Sequence, residues 1–387
     1  MLTPRSSTPL KLSAALVPAL AFLVFLAFRP IDQFGFRAWD SLTAMRSGPI
    51  VAGRFYPLQR TRRDEVGDLA PYTRDAVIKR SVLWETDAWG FRNEARRYEC
   101  PTTTAIVGDS MAAGGSLSQE SDLSSMLERS LATCTLNLGG VPLETALAFL
   151  DLRKIKPSVL VLVLAESAVR SPGGFDAQGY ARALRQVKYQ LAAPPWLTSL
   201  MARATDQLLD APFHAFKARH GIVEAVRRAF SDRDSAVLTA GKESPTGRMV
   251  FLSETLPAAP TPSMELPPQQ AAEVIATIAS ETAARGAKLY IVPVPEKEAV
   301  YGAPAERTES EAFLNKFCVE AEKLGVWCAQ LFDEYRSDYR DQHILNHHLD
   351  DTHWNEHGVS RAAAQVSNRI RRELPDLRKT DLTNLTQ

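Results

Sequence analysis

The sequence predicts an α/β protein in which a central parallel sheet carries helices on both faces. Short apolar runs alternate with segments of helical periodicity, as in chains built from strand–helix–strand units. One run, Ser158–Ser167 (SVLVLVLAES), is apolar throughout, as expected for a strand covered on both faces. The same alternation resumes after an interruption over residues 171–245. The 387 residues are enough for a sizeable core without metal or disulfide support.

The elements follow in order along the chain. Strands are predicted at 104–110, 134–140, 158–167, 287–295 and 326–332. Helices are predicted at 123–132, 142–154, 269–286, 311–323 and 356–374. Residues 171–245 carry helical periodicity and many basic side chains, which predicts an inserted helical subdomain. We interpret its basic face as a solvent-exposed helix surface, which is favoured over a binding site for a polyanionic glycan or for membrane headgroups. Pro257–Pro268 reads as a connector.

The balance of charge excludes one large class of partners. Forty-five Lys and Arg residues offset forty-five Asp and Glu residues, so no overall positive field attracts nucleic acid. We therefore expect no nucleic-acid partner.

The amino terminus contains an uncharged apolar run, Leu12–Phe28, of about the minimum length that spans a bilayer. Arg5 and Lys11 precede it, which favours a cytoplasmic amino end for residues 1–11. A cleaved signal peptide or a buried helix are the alternatives, but no small-residue cleavage site follows the run. We predict a signal anchor at 12–28, a lead-in segment at 30–100 packed on the core, and a polar tail at 375–387. The chain beyond the anchor would then lie outside the cytoplasm.

The four cysteines form two groups that are local in sequence. Cys100 lies near Cys134, and Cys318 near Cys328, so each group is a disulfide candidate in an oxidising compartment. Four unrelated buried thiols are the alternative. None of the spacings is that of a zinc site.

Two distant segments carry the residues that could do chemistry. Ser110 follows the first core strand in the motif GDSM, at the edge where doubly wound sheets bind ligands. His353 lies just before the last helix, with Asp350 and Asp351 three and two positions earlier. Imidazole can take the proton of a serine hydroxyl, and a carboxylate on its other nitrogen fixes the tautomer. The sequence thus predicts a triad of Ser110, His353 and one of the two aspartates.

Catalysis by such a triad also requires an oxyanion hole, a set of hydrogen-bond donors that stabilise the negative oxygen of the intermediate. The backbone N–H of Ser110 is one candidate donor, and the Gly139–Gly140 turn after the second strand is another. Simpler interpretations also exist: Ser110 could only cap a helix, and His353 could be a structural histidine. The pairs His343 with His347, and His353 with His357, are spaced to share a helix face as metal ligands, but no other ligand motif accompanies them, and we expect no metal or other cofactor.

These motifs resemble the SGNH (GDSL-type) esterase and acyltransferase superfamily. The resemblance rests on GDS after the first strand, NLGG after the second, and DDTHWNEHG before the last helix. Val292–Gly302 (VPVPEKEAVYG), together with Glu166 where an Asn often sits, resembles more narrowly the SGNH-like domains of alginate O-acetylation proteins. The resemblance to this superfamily implies a flavodoxin-like three-layer sandwich at 101–374, with Ser110 as nucleophile and His353 as base. The family shows both D-x-x-H and D-x-H spacings; DTHW favours Asp351 over Asp350.

The resemblance further implies a periplasmic polysaccharide O-acetyltransferase, held in a bacterial inner membrane by a single pass. The acetyl donor could be a multi-spanning membrane acyltransferase. A carbohydrate acetylesterase of the same fold and a non-catalytic glycan-binding component of an export complex are the alternatives. Glu166 cannot supply the third oxyanion donor unless it is protonated. Lys297 and Tyr301, four residues apart after a strand, are expected either to line the cleft and contact a sugar or to close a loop.

Overall fold

The computed structural model describes residues 17–18, 20–21, 37–44, 49–70, 78–209, 238–244, 247–252, 265–302 and 304–375. Most of the predicted anchor at 12–28 lies outside these residues, as does the tail beyond residue 375. Within the described residues, no helix combines the length and apolar character needed to span a membrane.

The described part of the chain contains the following strands and helices. The strands are β1 (Arg60–Glu65), β2 (Arg80–Glu85), β3 (Thr102–Gly108), β4 (Cys134–Asn137), β5 (Val159–Ala165), β6 (Leu238–Ser244), β7 (Gly247–Leu252), β8 (Lys288–Val294) and β9 (Trp327–Cys328). The helices are α1 (Ala38–Leu42), α2 (Ser110–Ala113), α3 (Leu123–Leu131), α4 (Leu143–Arg153), α5 (Glu166–Arg170), α6 (Ala177–Ala192), α7 (Pro195–Leu209), α8 (Pro268–Ala283), α9 (Lys297–Tyr301), α10 (Pro304–Lys323), α11 (Leu331–Gln342) and α12 (Glu356–Glu373).

Five parallel strands form the central sheet, in the order β4-β3-β5-β8-β9. Numbered along the chain, this is the 2-1-3-4-5 order of doubly wound flavodoxin-like sheets. The strand order reverses between β3 and β5, and ligands of such sheets bind outside the carboxyl ends of the strands at that point. The predicted α/β class with a central parallel sheet is confirmed.

Successive strand residues point to opposite faces of the sheet and pack into two separate hydrophobic cores, one on each face. Val107 and Leu162 pack with α4, α8 and α10 on one face. Ile106 and Val161 pack with α3, α11 and α12 on the other. Because both faces are covered, these strands are apolar at every position, which is the pattern that revealed them in the sequence.

Two predicted elements differ from the structure. The strand expected at 326–332 is limited to Trp327–Cys328, and Leu331 already begins α11. The short apolar run could not distinguish a strand from a buried first helical turn. In the inserted region 171–245, α6 and α7 are helical as expected, but Leu238–Ser244 is a strand that pairs antiparallel with Gly247–Leu252.

Both predicted disulfides are formed. Cys100 is bonded to Cys134 at the start of β4, and Cys318 of α10 is bonded to Cys328 of β9. Each bond therefore links a strand of the sheet to the segment beside it.

The described part of the lead-in packs beside the end of α2. β1 and β2 form an antiparallel hairpin. The aromatic rings of Trp39, Phe55 and Trp84 meet edge to face, and this cluster includes Ala113 at the end of α2.

Candidate active site

Ser110 is placed by a sharp turn between β3 and α2. Gly108 has a φ of +137°, and a Cβ there would lie 1.8 Å from the carbonyl oxygen of Val163 on the neighbouring strand. The carboxylate of Asp109 accepts hydrogen bonds from the N–H groups of Met111 at 2.8 Å and Ala165 at 2.9 Å. Asp109 is thus the cap of α2, and Ser110 is its first helical residue rather than its cap.

The structure brings the hydroxyl of Ser110 to the imidazole of His353, 243 residues away in sequence. Ser110 Oγ lies 2.8 Å from His353 Nε2, and His353 Nδ1 lies 2.6 Å from Asp351 Oδ1. Gly115 makes room for the ring, since a Cβ there would lie 2.8 Å from Nε2. The three groups form a continuous hydrogen-bonded relay.

The two neighbouring aspartates have different partners. Asp351 bonds His353, whereas Asp350 faces the lead-in and accepts from the N–H groups of Gly67 at 2.9 Å and Ile78 at 3.1 Å. Arg80 reaches both carboxylates, Asp350 at 2.8 Å and Asp351 at 3.0 Å. Asp350, the other triad candidate, therefore fastens the loop to the lead-in and makes no contact with the imidazole.

The charges around the imidazole favour an ionised Asp351. Burial opposes ionisation, but His353 and the guanidinium groups of Arg37 and Arg80 outweigh it and hold the pKa of Asp351 well below its usual value. For His353, burial lowers the pKa and the charge and hydrogen bond of Asp351 raise it more, so the net pKa is raised. An ionised carboxylate also keeps the proton of a neutral ring on Nδ1, which leaves Nε2 as the acceptor that faces Ser110.

Three charged residues at this site come from the lead-in and were missed by sequence reasoning. Arg37 Nη1 lies 3.5 Å from Asp351 Oδ2, and Arg80 and the N–H of Asp68 bond the same oxygen. Asp68 also accepts hydrogen bonds from the N–H of Thr352 at 2.8 Å and its hydroxyl at 2.5 Å. No motif or periodicity distinguishes these residues from the other charges of the lead-in.

Lys297 and Tyr301 hold the loop that carries His353. Both side chains are buried. Lys297 Nζ donates to the carbonyl oxygens of Leu349 at 2.7 Å and Asp351 at 3.2 Å, and the hydroxyl of Tyr301 accepts from the N–H of Asn346 at 2.7 Å. Burial lowers the pKa of Lys297 to about 8, against the pull of the nearby carboxylates. Of the two expected roles, these contacts show loop closure rather than an exposed sugar contact.

The other predicted oxyanion and substrate contacts are engaged inside the protein. The N–H of Gly139 donates to Asn137 Oδ1 at 2.9 Å, and that of Gly140 to the carbonyl of Gly108 at 2.8 Å. Glu166 is buried and paired with Arg170 at 2.9 Å. These groups therefore have partners within the protein, and the substrate contacts expected of them stay a prediction. The N–H of Ser110, as the first of α2, has no acceptor within its own helix.

The histidine pairs considered as metal ligands do not share helix faces. His343 terminates α11, His347 bonds the carbonyl of Pro295 at 3.0 Å, and His353 precedes α12. Among the described residues, Asp68, Asp351 and His353 offer ligand atoms within 4.8 Å of one another. The hydrogen bond between Nδ1 and Asp351 already uses two of those atoms.

A cavity of about 620 Å³ lies on the Asp350 side of the same loop. Arg80, Ser116 and His348 are among its lining residues, whereas Ser110 and His353 do not line it. The Ser110–His353 pair is therefore separate from this cavity.

Comparison with known families bears on the carboxyl-terminal third of the chain. Residues 250–387 match the SGNH hydrolase-like domain of the acetyltransferase AlgX. The resemblance deduced from the motifs is confirmed over that range, which contains His353 and Asp351 and leaves Ser110 outside. No curated protein matches the chain.

Several solved structures are similar in part. They include TesA (14% identity, 70% of this chain and 99% of that chain, TM-score 0.35) and a lipase/acylhydrolase from Enterococcus faecalis (12%, 70% and 95%, 0.31). A carbohydrate acetylesterase family member from Sinorhizobium meliloti aligns at 13% identity over 71% of this chain and 100% of that chain, with a TM-score of 0.31.

Proposed function

We propose that this protein is a membrane-anchored polysaccharide O-acetyltransferase that works outside the cytoplasm through an acetyl-serine intermediate. The observation that carries the proposal is the relay from Ser110 Oγ to His353 Nε2 at 2.8 Å, continued from Nδ1 to Asp351 at 2.6 Å. A serine needs a base within hydrogen-bond reach and an orienting group on that base, and this arrangement supplies both.

In the first half-reaction, Ser110 Oγ attacks the carbonyl carbon of an acetyl donor while His353 Nε2 takes the hydroxyl proton. The tetrahedral intermediate collapses, the bond to the leaving group breaks, and the imidazolium returns the proton to that group. In the second half-reaction, a sugar hydroxyl gives its proton to His353 and attacks acetyl-Ser110. Collapse breaks the bond to Ser110 Oγ, which regains the proton. The products are the acetylated sugar and free serine.

The imidazolium that forms in each half-reaction lies against an ionised carboxylate. Asp351 is fully buried and is held by Arg37 and Arg80, so it stays charged throughout the cycle. The N–H of Ser110 would donate to the oxyanion. Gly139 and Gly140, which are engaged elsewhere, have no part in this mechanism.

Transfer rather than hydrolysis is supported by two features. The family model over residues 250–387 is described as that of an acetyltransferase. The apolar run at 12–28 would hold the enzyme at a membrane, in a bacterial inner membrane with the catalytic domain in the periplasm. There a multi-spanning acyltransferase could supply acetyl groups for a growing polysaccharide.

The first test is turnover of an activated acetyl ester by the purified protein. Ser110→Ala should abolish both turnover and acetylation of the protein as seen by intact-mass measurement. Ser280→Ala, which removes an exposed hydroxyl from α8, is the matched control and should behave as the parent. Unchanged turnover in Ser110→Ala would end this mechanism.

The second test separates transfer from hydrolysis. Product analysis with an acetyl donor and an acceptor oligosaccharide should show acetylated sugar at the expense of free acetate. Acetate release alone, unaffected by the acceptor, would instead identify an acetylesterase. Glycan binding that survives Ser110→Ala, in a parent without turnover, would identify a non-catalytic component.

A further inference from the structure

Two carboxylates, not one, lie at the Nδ1 side of His353. Asp351 Oδ1 is 2.6 Å from Nδ1 and Asp68 Oδ2 is 3.7 Å from the same nitrogen. The second carboxylate belongs to the lead-in, 285 positions before the histidine.

Asp68 is bound to the loop that carries Asp351, and the two carboxylates share Arg37 as a cationic partner. It accepts from both the N–H and the hydroxyl of Thr352, the residue between Asp351 and His353. Its own N–H donates to Asp351 Oδ2 at 3.0 Å. Arg37 Nη1 lies 3.6 Å from Asp68 Oδ2 and 3.5 Å from Asp351 Oδ2, and this cation favours negative charge on both carboxyl groups. Burial and the neighbouring Asp351 act in the opposite direction and raise the pKa of Asp68.

We propose that Asp68 is a second positioning residue for His353. Asp68 stabilises the imidazolium together with Asp351, and it accepts the hydrogen bond from Nδ1–H when Asp351 is removed. A shift of about 1 Å would bring Asp68 Oδ2 within hydrogen-bond distance of Nδ1. That oxygen has lone-pair capacity beyond its bond to Thr352, since each carboxylate oxygen can accept two hydrogen bonds. This inference rests on the proposed function of the Ser110–His353 pair.

The kinetic test compares acyl turnover in single and double variants. In serine enzymes with one such carboxylate, its loss costs about 10⁴-fold in kcat. With Asp68 as a substitute, Asp351→Ala should cost only about 10²-fold, and Asp351→Ala/Asp68→Asn about 10⁴-fold. Asp68→Asn alone should cost less than about 10-fold, because Asp351 still holds the ring.

The matched control is Asp351→Ala/Asp40→Asn. Asp40 pairs with Arg37 at 3.1 Å but belongs to α1, and it is not among the described residues that bond the imidazole. This double variant should equal Asp351→Ala. Equal turnover in Asp351→Ala and Asp351→Ala/Asp68→Asn would overturn the proposal, as would an equal fall in the control.

A second readout does not depend on turnover or on the severity of the alanine substitution. The ¹⁵N shifts of the labelled imidazole, assigned by comparison with His353→Gln, report which ring nitrogen carries the proton. Asp351→Ala and the isosteric Asp351→Asn should both retain the Nδ1–H tautomer, and the added Asp68→Asn should lose it. Loss of that tautomer in both single variants would refute the role of Asp68. Retention of it in a protein without any acyl turnover would refute only the proposed enzyme activity.

Discussion

The two halves of the candidate site are held in place by different means. Ser110 is fixed chiefly by its own segment, through the turn at Gly108 and the cap at Asp109, with one further bond from the N–H of Ala165 on β5 to Asp109. His353 is fixed by contacts from distant parts of the chain, chiefly Arg80 from the lead-in and Lys297 from α9. The nucleophile position is therefore a local property of the backbone, whereas the base position depends on buried charges that only folding assembles.

This contrast predicts where the molecule is most sensitive. A substitution that removes a distant support should loosen the loop carrying His353 and leave the turn at Ser110 intact. The following predictions run from the largest effect to the smallest.

Arg80→Met should lower the free energy of unfolding by about 3–5 kcal/mol. It leaves two fully buried carboxylates, Asp350 and Asp351, without their shared cation. Arg60→Met, at the other end of the same hairpin, is the matched control because its guanidinium is 72% exposed beside Glu85. That control should change stability by less than about 0.5 kcal/mol in denaturant unfolding. Equal effects of the two substitutions would show that the base loop does not depend on its buried cation.

Gly115→Ala should lower kcat by about 10²-fold without loss of fold. The added Cβ would stand 2.8 Å from His353 Nε2 and push the ring off Ser110, and a displacement of about 1 Å can cost that much. Gly173→Ala, where a Cβ meets nothing within 4 Å, is the control. Normal turnover in Gly115→Ala would argue against a catalytic role for the hydrogen bond between Ser110 and His353.

Lys297→Met should lower the free energy of unfolding by about 2 kcal/mol, because the carbonyls of Leu349 and Asp351 lose their buried donor. Lys288→Met provides the comparison, since its side chain is 54% exposed beside Glu373 and should matter little. Thermal unfolding of the two variants measures the difference. A smaller effect at Lys297 than at Lys288 would contradict the role assigned to it.

The pH profile of kcat/KM should show the smallest effect. Neutral His353 is the active base, so turnover should rise as pH passes the pKa of His353, which Asp351 raises above its usual value. Asp351→Asn removes the charge that stabilises the imidazolium, and the rising limb should therefore move to lower pH. If the rising limb moved to higher pH in this variant, Asp351 would lower the pKa of His353 rather than raise it.

Much of the fold could be predicted because its signals are local. The run Val159–Ala165 is apolar at every position since both faces of the sheet are covered. Ser110 and His353 were found because the turn and the loop bear recognisable motifs. The extent of β9 was not predicted, because Leu331 and Phe332 suit a buried helical turn as well as a strand.

The sequence by itself determined the alternating elements and the serine and histidine segments, and it grouped the four cysteines into two candidate pairs, because each of these depends on residues near one another along the chain. Only the structure shows that both disulfides are formed. Only the tertiary structure decided that Asp351 rather than Asp350 meets the imidazole, and that Arg37, Asp68 and Arg80 surround it. It also decided that the N–H groups of Gly139 and Gly140 donate hydrogen bonds to acceptors within the protein. These outcomes depend on which distant charges and backbone groups become buried together, and no spacing along the chain encodes that.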